Sequence, residues 1–166
     1  MAFIDVVEFV KDIDLPGDFL EIGSDRGDNS THVFSLLAAN MGRTLYSVDL
    51  DPDIIEKNQT RFQSIALNLP VRFYNQPGEQ FLADNPDLRF SIVLLDNFDW
   101  QWNPASPENF IQAQVDRYRT EFGLVMNNVN SQVAHLTQAI AVAPMLTEKA
   151  IVVCDDTYWE IGRAHV

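Results

Sequence analysis

The sequence predicts an α/β protein built on a doubly wound parallel sheet, and three observations predict it. Short apolar runs at about 18–23, 44–49, 71–75, 90–96 and 150–155 alternate with segments whose apolar residues recur at helical spacing. The first run leads into a turn with two glycines, Gly23 and Gly27, and then into Asn29-Ser30-Thr31, a good helix start. Every run but the third ends in a carboxylate or leads straight into one: Glu21, Asp49, Asp96 and Asp155, with Asp156 next. Strict alternation makes the strands parallel, and right-handed crossovers bring their C-terminal ends to one edge, where such sheets bind ligands.

Each element has its own signal. Phe3, Val6, Val7 and Val10 lie at helical spacing within residues 2–12, and Pro16-Gly17 stops that helix. Strand one follows. A helix over 30–41 turns Val33, Phe34, Leu36 and Leu37 inward and ends at Gly42, a natural C-cap. After strand two, Asp51-Pro52 opens a helix with Asp as N-cap and Pro in the first turn; Ile54, Ile55, Phe62 and Ile65 form its inner face. A short helix over 77–83 follows strand three and ends at Asn85-Pro86. Strand four is almost wholly apolar, as a central parallel strand should be. Residues 97–129 break the rhythm with Trp100, Trp102, Phe110, Tyr118 and Phe122 among Asn, Gln and Pro, with a helix expected near 107–119. A helix over 129–147 should place Val133, Leu136, Ile140 and Leu146 inward before strand five.

Composition bounds the function. The 166 residues fit one domain with a proper core. A formal charge of −13 with no basic patch repels phosphate, so nucleic acid is not expected as a partner. No run of about 18 apolar residues exists, so no membrane span is expected, and the N-terminus lacks the basic start of a signal peptide. Cytoplasmic location is the expectation. The single cysteine, Cys154, sits in an apolar run and reads as a core residue. The final hexapeptide, Ile161-Gly162-Arg163-Ala164-His165-Val166, resembles what a common sequencing adapter encodes in one frame. Residues 1–160 are therefore expected to be one domain incomplete at its C-terminal end, lacking its last strands, and 161–166 a non-native tail.

The first turn discriminates between cofactors. A dinucleotide fold calls for G-x-G-x-x-G, so that backbone can approach a pyrophosphate. Here the pattern is Glu21-x-Gly23-x-x-x-Gly27. A carboxylate at the strand end would repel pyrophosphate but suits a positively charged amino-acid moiety. Asp49 ends strand two, where an acidic side chain accepts hydrogen bonds from both ribose hydroxyls.

Glu21-Ile22-Gly23-Ser24-x-x-Gly27, Val48-Asp49-Leu50-Asp51-Pro52, Gly78-Glu79, Leu95-Asp96 and Asp155-Asp156 together resemble the successive motifs of class I S-adenosylmethionine-dependent methyltransferases. The resemblance covers about residues 15–158 and is nearest to small-molecule O-methyltransferases, including the metal-dependent catechol and macrolide-sugar types. It implies that Glu21 and the Gly23–Gly27 turn hold the methionine end of the cofactor, with Ser24 lining it. It implies Asp49 for the ribose, Gly78 and Glu79 for the adenine, and Asp96 under the transferred methyl. In the metal-dependent branch, Asp96, Asp155 and Asp156 match the positions that bind Mg²⁺, a hard ion suited to oxygen ligands and to acidifying an acceptor hydroxyl.

One departure matters. The catechol type carries a lysine base three residues after the strand-four aspartate, where this chain has Asp99. His135, on the helix before strand five, is one replacement base; His32 reads as a capping or surface residue. The 97–129 insertion should overhang the transfer site as a lid or small-molecule acceptor pocket, or else serve as the surface for a homodimer partner. Two rivals stand beside the methyltransferase reading: an NAD-dependent oxidoreductase and a non-catalytic methyltransferase-like binding module.

Overall fold

The computed structural model describes residues 3–10, 13–24, 29–65, 68–96 and 108–154. The chain runs α1 (Phe3–Val10), β1 (Asp18–Ile22), α2 (Ser30–Met41), β2 (Leu45–Asp49), α3 (Pro52–Ser64), β3 (Val71–Asn75), α4 (Gly78–Asp84), β4 (Phe90–Leu95), α5 (Glu108–Glu121), α6 (Asn128–Val142), a single 3₁₀ turn (Ala143–Met145) and β5 (Leu146–Cys154). All strand pairs are parallel and the order is β3-β2-β1-β4-β5. The chain winds outwards from β1 to β3 and then returns past β1 to β4. The C-terminal ends of β1 and β4 therefore flank the point where the winding reverses, the place where open sheets of this kind leave a crevice.

Two apolar layers follow from the two-residue period of the strands. Leu20, Ile22, Val93 and Leu95 face one side, where they pack with Phe81 of α4 and Val142 of α6. Phe19, Ile92 and Leu94 face the other and pack with Val6 and Val10 of α1 and Phe34 and Leu37 of α2. The central strands β1, β2 and β4 are buried on both faces, while β3 and β5 form the edges. The expected start and stop signals act where they stand. Asp51 caps α3 by accepting from the Asp53 amide, and Gly42 closes α2 at φ +66°, its turn returning amides to Ala38 and Ala39.

Four expectations need correction. The helix before strand five ends at Val142, because Pro144 lacks the amide that an α-helix would need; Leu146 belongs instead to β5, which begins four residues earlier than expected. The inward face of α6 is also the other one. Val133, Leu136 and Ile140 are 55%, 61% and 66% exposed, and Ser131, His135, Gln138 and Val142 are buried. Polar anchors decide this: His135 meets the end of β4 and Gln138 reaches α4. Leu36 of α2 is 39% exposed, since Phe34, Leu37 and Ala38 already fill the stripe against the sheet. Cys154 is exposed, because β5 is an edge strand of the sheet. Trp100 and Trp102 of the insertion lie outside the described residues, as do residues 155–166.

The face of α6 can be tested by paired substitutions. Leu136→Gln should leave the unfolding free energy within about 0.5 kcal/mol of wild type. Val142→Ala should lower it by about 2 kcal/mol. Urea denaturation followed by circular dichroism measures both.

Candidate functional site

The C-terminal ends of β1, β2 and β4 bring together most of the described site residues that the sequence singles out. The turn after β1 starts at Gly23, whose φ of +90° disfavours any side chain. Its amide donates to the Val48 carbonyl at 2.8 Å, which ties Gly23 to the end of β2. The next residue, Ser24, is buried and meets Asp49. Asp49 Oδ2 accepts from the Ser24 amide at 2.9 Å and from Ser24 Oγ at 3.4 Å. Asp49 Oδ1 accepts from the Asp51 amide at 2.9 Å. Asn58 of α3 donates to Ser24 Oγ at 3.2 Å. One carboxylate therefore ties the turn after β1 to the turn after β2, and hydrogen bonds to an ionised group contribute about 1.5–3 kcal/mol each.

Glu21 lies one layer deeper. It is fully buried and stands opposite Ser47 in the parallel register. Its Oε2 accepts from Thr31 Oγ1 at 2.7 Å and from Ser47 Oγ at 2.8 Å. Oε1 is buried with no hydrogen-bond donor among the described residues. Burial pushes the Glu21 carboxyl up to about 7; bonds from Ser30, Thr31 and Ser47 oppose the shift, and the Asp49 charge adds to it. Among the described residues this carboxylate lacks one donor and a counter-charge, and an ammonium group could supply both.

On the β4 side, the Asp96 amide donates to the Ile22 carbonyl at 2.8 Å, which sets Asp96 beside the Gly23 turn. His135 Nε2 is 3.1 Å from the Leu95 carbonyl; a carbonyl only accepts, so that nitrogen carries the proton. Gly78, buried at the start of α4, lies so close to β1 that a Cβ there would come within 2.6 Å of Ile22 Cγ2. Glu79 accepts from Gln138 of α6 at 3.1 Å. Glu79 is therefore held between two helices on the same face of the sheet. His32 lies edge-on to Phe62, ring centroids 6.2 Å apart, and is half-buried.

Gly27, Asp155 and Asp156 lie outside the described residues. Among the described residues, no group of three His, Cys, Asp or Glu is placed to hold a metal ion. No helix among them is long and apolar enough to cross a membrane.

Several residues of the site escape a reading of the sequence. Ser47 leaves a weak signal, a hydroxyl in the middle of an apolar strand. Asn58 and Thr31 leave none, because an Asn on a helix and a Thr at a helix start are ordinary. Arg117 of α5 forms a two-pronged pair with Asp51 from 66 residues away, which no local pattern announces.

The raised Glu21 carboxyl has a consequence for stability. A carboxyl whose folded value lies above its unfolded value near 4.5 favours the folded chain at low pH, and that contribution is lost as pH rises towards about 7. Glu21→Gln cannot titrate. The melting temperature of the variant should therefore gain on wild type between pH 4.5 and pH 8, by up to about 3 kcal/mol of unfolding free energy. A constant gap across that range would contradict the assignment.

No family model and no curated protein matches the sequence. Solved structures do. The S-adenosylhomocysteine-bound methyltransferase PaMTH1 of Podospora anserina superposes with a TM-score of 0.56 at 18% identity, over 92% of this chain and 50% of its own. A SAM-dependent methyltransferase of Agrobacterium tumefaciens gives 0.60 at 17%, over 92% and 42%. The glycopeptide N-methyltransferase MtfA, complexed with S-adenosylmethionine, gives 0.54 at 12%, over 92% and 49%. The chain thus spans half or less of the length of these proteins. It has the Rossmann-like fold of S-adenosylmethionine-dependent methyltransferases.

Proposed function

We propose that the chain is the cofactor-binding part of an S-adenosylmethionine-dependent methyltransferase that acts on an oxygen of a small molecule. The observation that carries this is the pairing of Asp49 with the Gly23–Ser24 turn above a buried Glu21 whose Oε1 has no donor among the described residues. When bound, S-adenosylmethionine supplies a methyl group on a positively charged sulfur.

The chain's own residues then divide the work. Glu21, with the turn that starts at Gly23-Ser24 and runs to Gly27, receives the ammonium end. Asp49, at the end of β2, is placed to accept from ribose hydroxyls. Gly78 and Glu79 line the adenine side, and Asp96 faces the transfer point. Transfer of that methyl to an acceptor oxygen, with the sulfur leaving as the neutral thioether, would release the acceptor proton to a base on the protein. His135 can take a proton only through Nδ1, since Nε2 is the donor to Leu95. Asp96, with Asp155 and Asp156 from outside the described residues, would supply oxygen donors of the kind Mg²⁺ takes, and such an ion would lower the pKa of an acceptor hydroxyl.

Two measurements test this reading. Calorimetry with S-adenosylhomocysteine should show binding to wild type and at least tenfold weaker binding to Asp49→Ala; a hydrogen-bonded carboxylate is worth that much. Affinity for wild type should rise about tenfold from pH 6 to pH 8, as the competent carboxylate form of Glu21 grows, and Glu21→Gln should lose that dependence. Methyl transfer to a panel of hydroxylated and amine acceptors, with and without EDTA, tests the acceptor atom and the metal. Transfer to amines alone would overturn the oxygen assignment, and undiminished turnover in EDTA would overturn the metal.

A further inference from the structure

The helix α5 belongs to the connection leaving β4, yet Arg117 on it pairs with Asp51 and Asp53 two strands away, beyond the end of β2. Arg117 Nη1 and Nη2 meet Asp51 Oδ2 and Oδ1 at 2.6 and 2.9 Å, a parallel two-pronged pair. Nη2 also donates to Asp53 at 3.0 Å and Nε to Glu121 at 2.9 Å. The guanidinium lies 5.7 Å from the Phe122 ring centroid. Asp51 is 1% exposed, so this pair is buried on its carboxylate side. The Asp51 amide, in turn, donates to Asp49 at 2.9 Å, so a single residue separates the guanidinium from the ribose-side carboxylate.

The strand order gives this contact its meaning. Between β4 and β2 lies β1, and Asp51 stands just beyond the C-terminal end of β2. From Arg117 at Asp51 the described chain returns to α6, whose His135 meets the end of β4, and so passes from the β2 side to the β4 side of the sheet edge where β1 ends. Arg117 is therefore the point at which α5 is fastened on the far side of the cofactor crevice.

We propose that Arg117 is a positioning residue that latches α5 across the cofactor edge, so that cofactor enters and leaves when the Arg117–Asp51 pair opens. This rests on the methyltransferase reading above. A latch of this kind slows passage in both directions, whereas a residue that only stabilises the bound state slows dissociation alone. The two can be separated kinetically.

The experiment is stopped-flow association and chase dissociation of S-adenosylhomocysteine with the full chain. The variants are Arg117→Ala, Arg117→Lys and Asp51→Asn; Asn retains the capping function at the start of α3. For Arg117→Ala, both rate constants should rise about tenfold, leaving the equilibrium affinity within a factor of about three. Arg117→Lys, which keeps the charge and loses the fork, should fall between alanine and wild type. Hydrogen exchange over residues 112–121 should quicken in Arg117→Ala. Faster dissociation with unchanged or slower association would overturn the latch, as would rates equal to wild type. If Arg117→Ala does not fold, the other two variants decide by the same criterion. Failure of folded wild type to bind overturns the cofactor reading, and the latch with it; binding by wild type with unaltered variant kinetics overturns the latch alone.

Discussion

The carboxylate of Asp49 is the constraint on which the site depends. Backbone amides of Ser24 and Asp51 converge on its two oxygens, and these amides belong to different turns. The sheet places the ends of β1 and β2 side by side, but it does not dictate the path of the chain beyond them. Asp49 does. It fixes the turn that Gly23 begins, and it fixes the start of α3, where Asp51 both caps the helix and receives Arg117. Removing this charge would free two turns and loosen the seat of α5 at once, an effect of a different kind from trimming an apolar core residue.

Below this hub the site stores an unfavourable burial. Glu21 lies fully inside the molecule and, among the described residues, lacks one donor and a counter-charge. Such a group lowers stability at neutral pH and would be poorly tolerated as mere structure. Three hydroxyls, from Ser30, Thr31 and Ser47, reduce the cost without removing it. On the proposed reading, a cationic ligand would relieve this buried carboxylate, and binding would gain selectivity from it. An anionic pyrophosphate at the same turn would meet the buried Glu21, which is the electrostatic argument for the proposed sulfonium amino acid over a dinucleotide.

How legible this was in the sequence varies with the range of the forces involved. The sheet was legible because buried parallel strands are short continuous apolar runs, and Pro52 and Gly42 mark helix ends by backbone chemistry alone. The positions of Gly23, Asp49 and Asp96 were legible because strand C-termini share one edge. The orientation of α6 was not. Its apolar stripe of Val133, Leu136 and Ile140 points outwards, while His135 and Gln138 point in. Periodicity finds a stripe; it cannot weigh that stripe against specific hydrogen bonds to β4 and α4. The Arg117–Asp51 pair was equally hidden, since ion pairs between distant segments leave no local pattern.

The central claim is that the turns joined by Asp49 bind S-adenosylmethionine. Amide NMR of the ¹⁵N-labelled chain, titrated separately with S-adenosylhomocysteine and with NAD, tests it most directly. The account predicts that S-adenosylhomocysteine shifts the amides of Gly23, Ser24, Asp49 and Asp51 most strongly, and that NAD leaves them in place. Shifts at those amides with NAD alone, or none with S-adenosylhomocysteine in a folded chain, would contradict it.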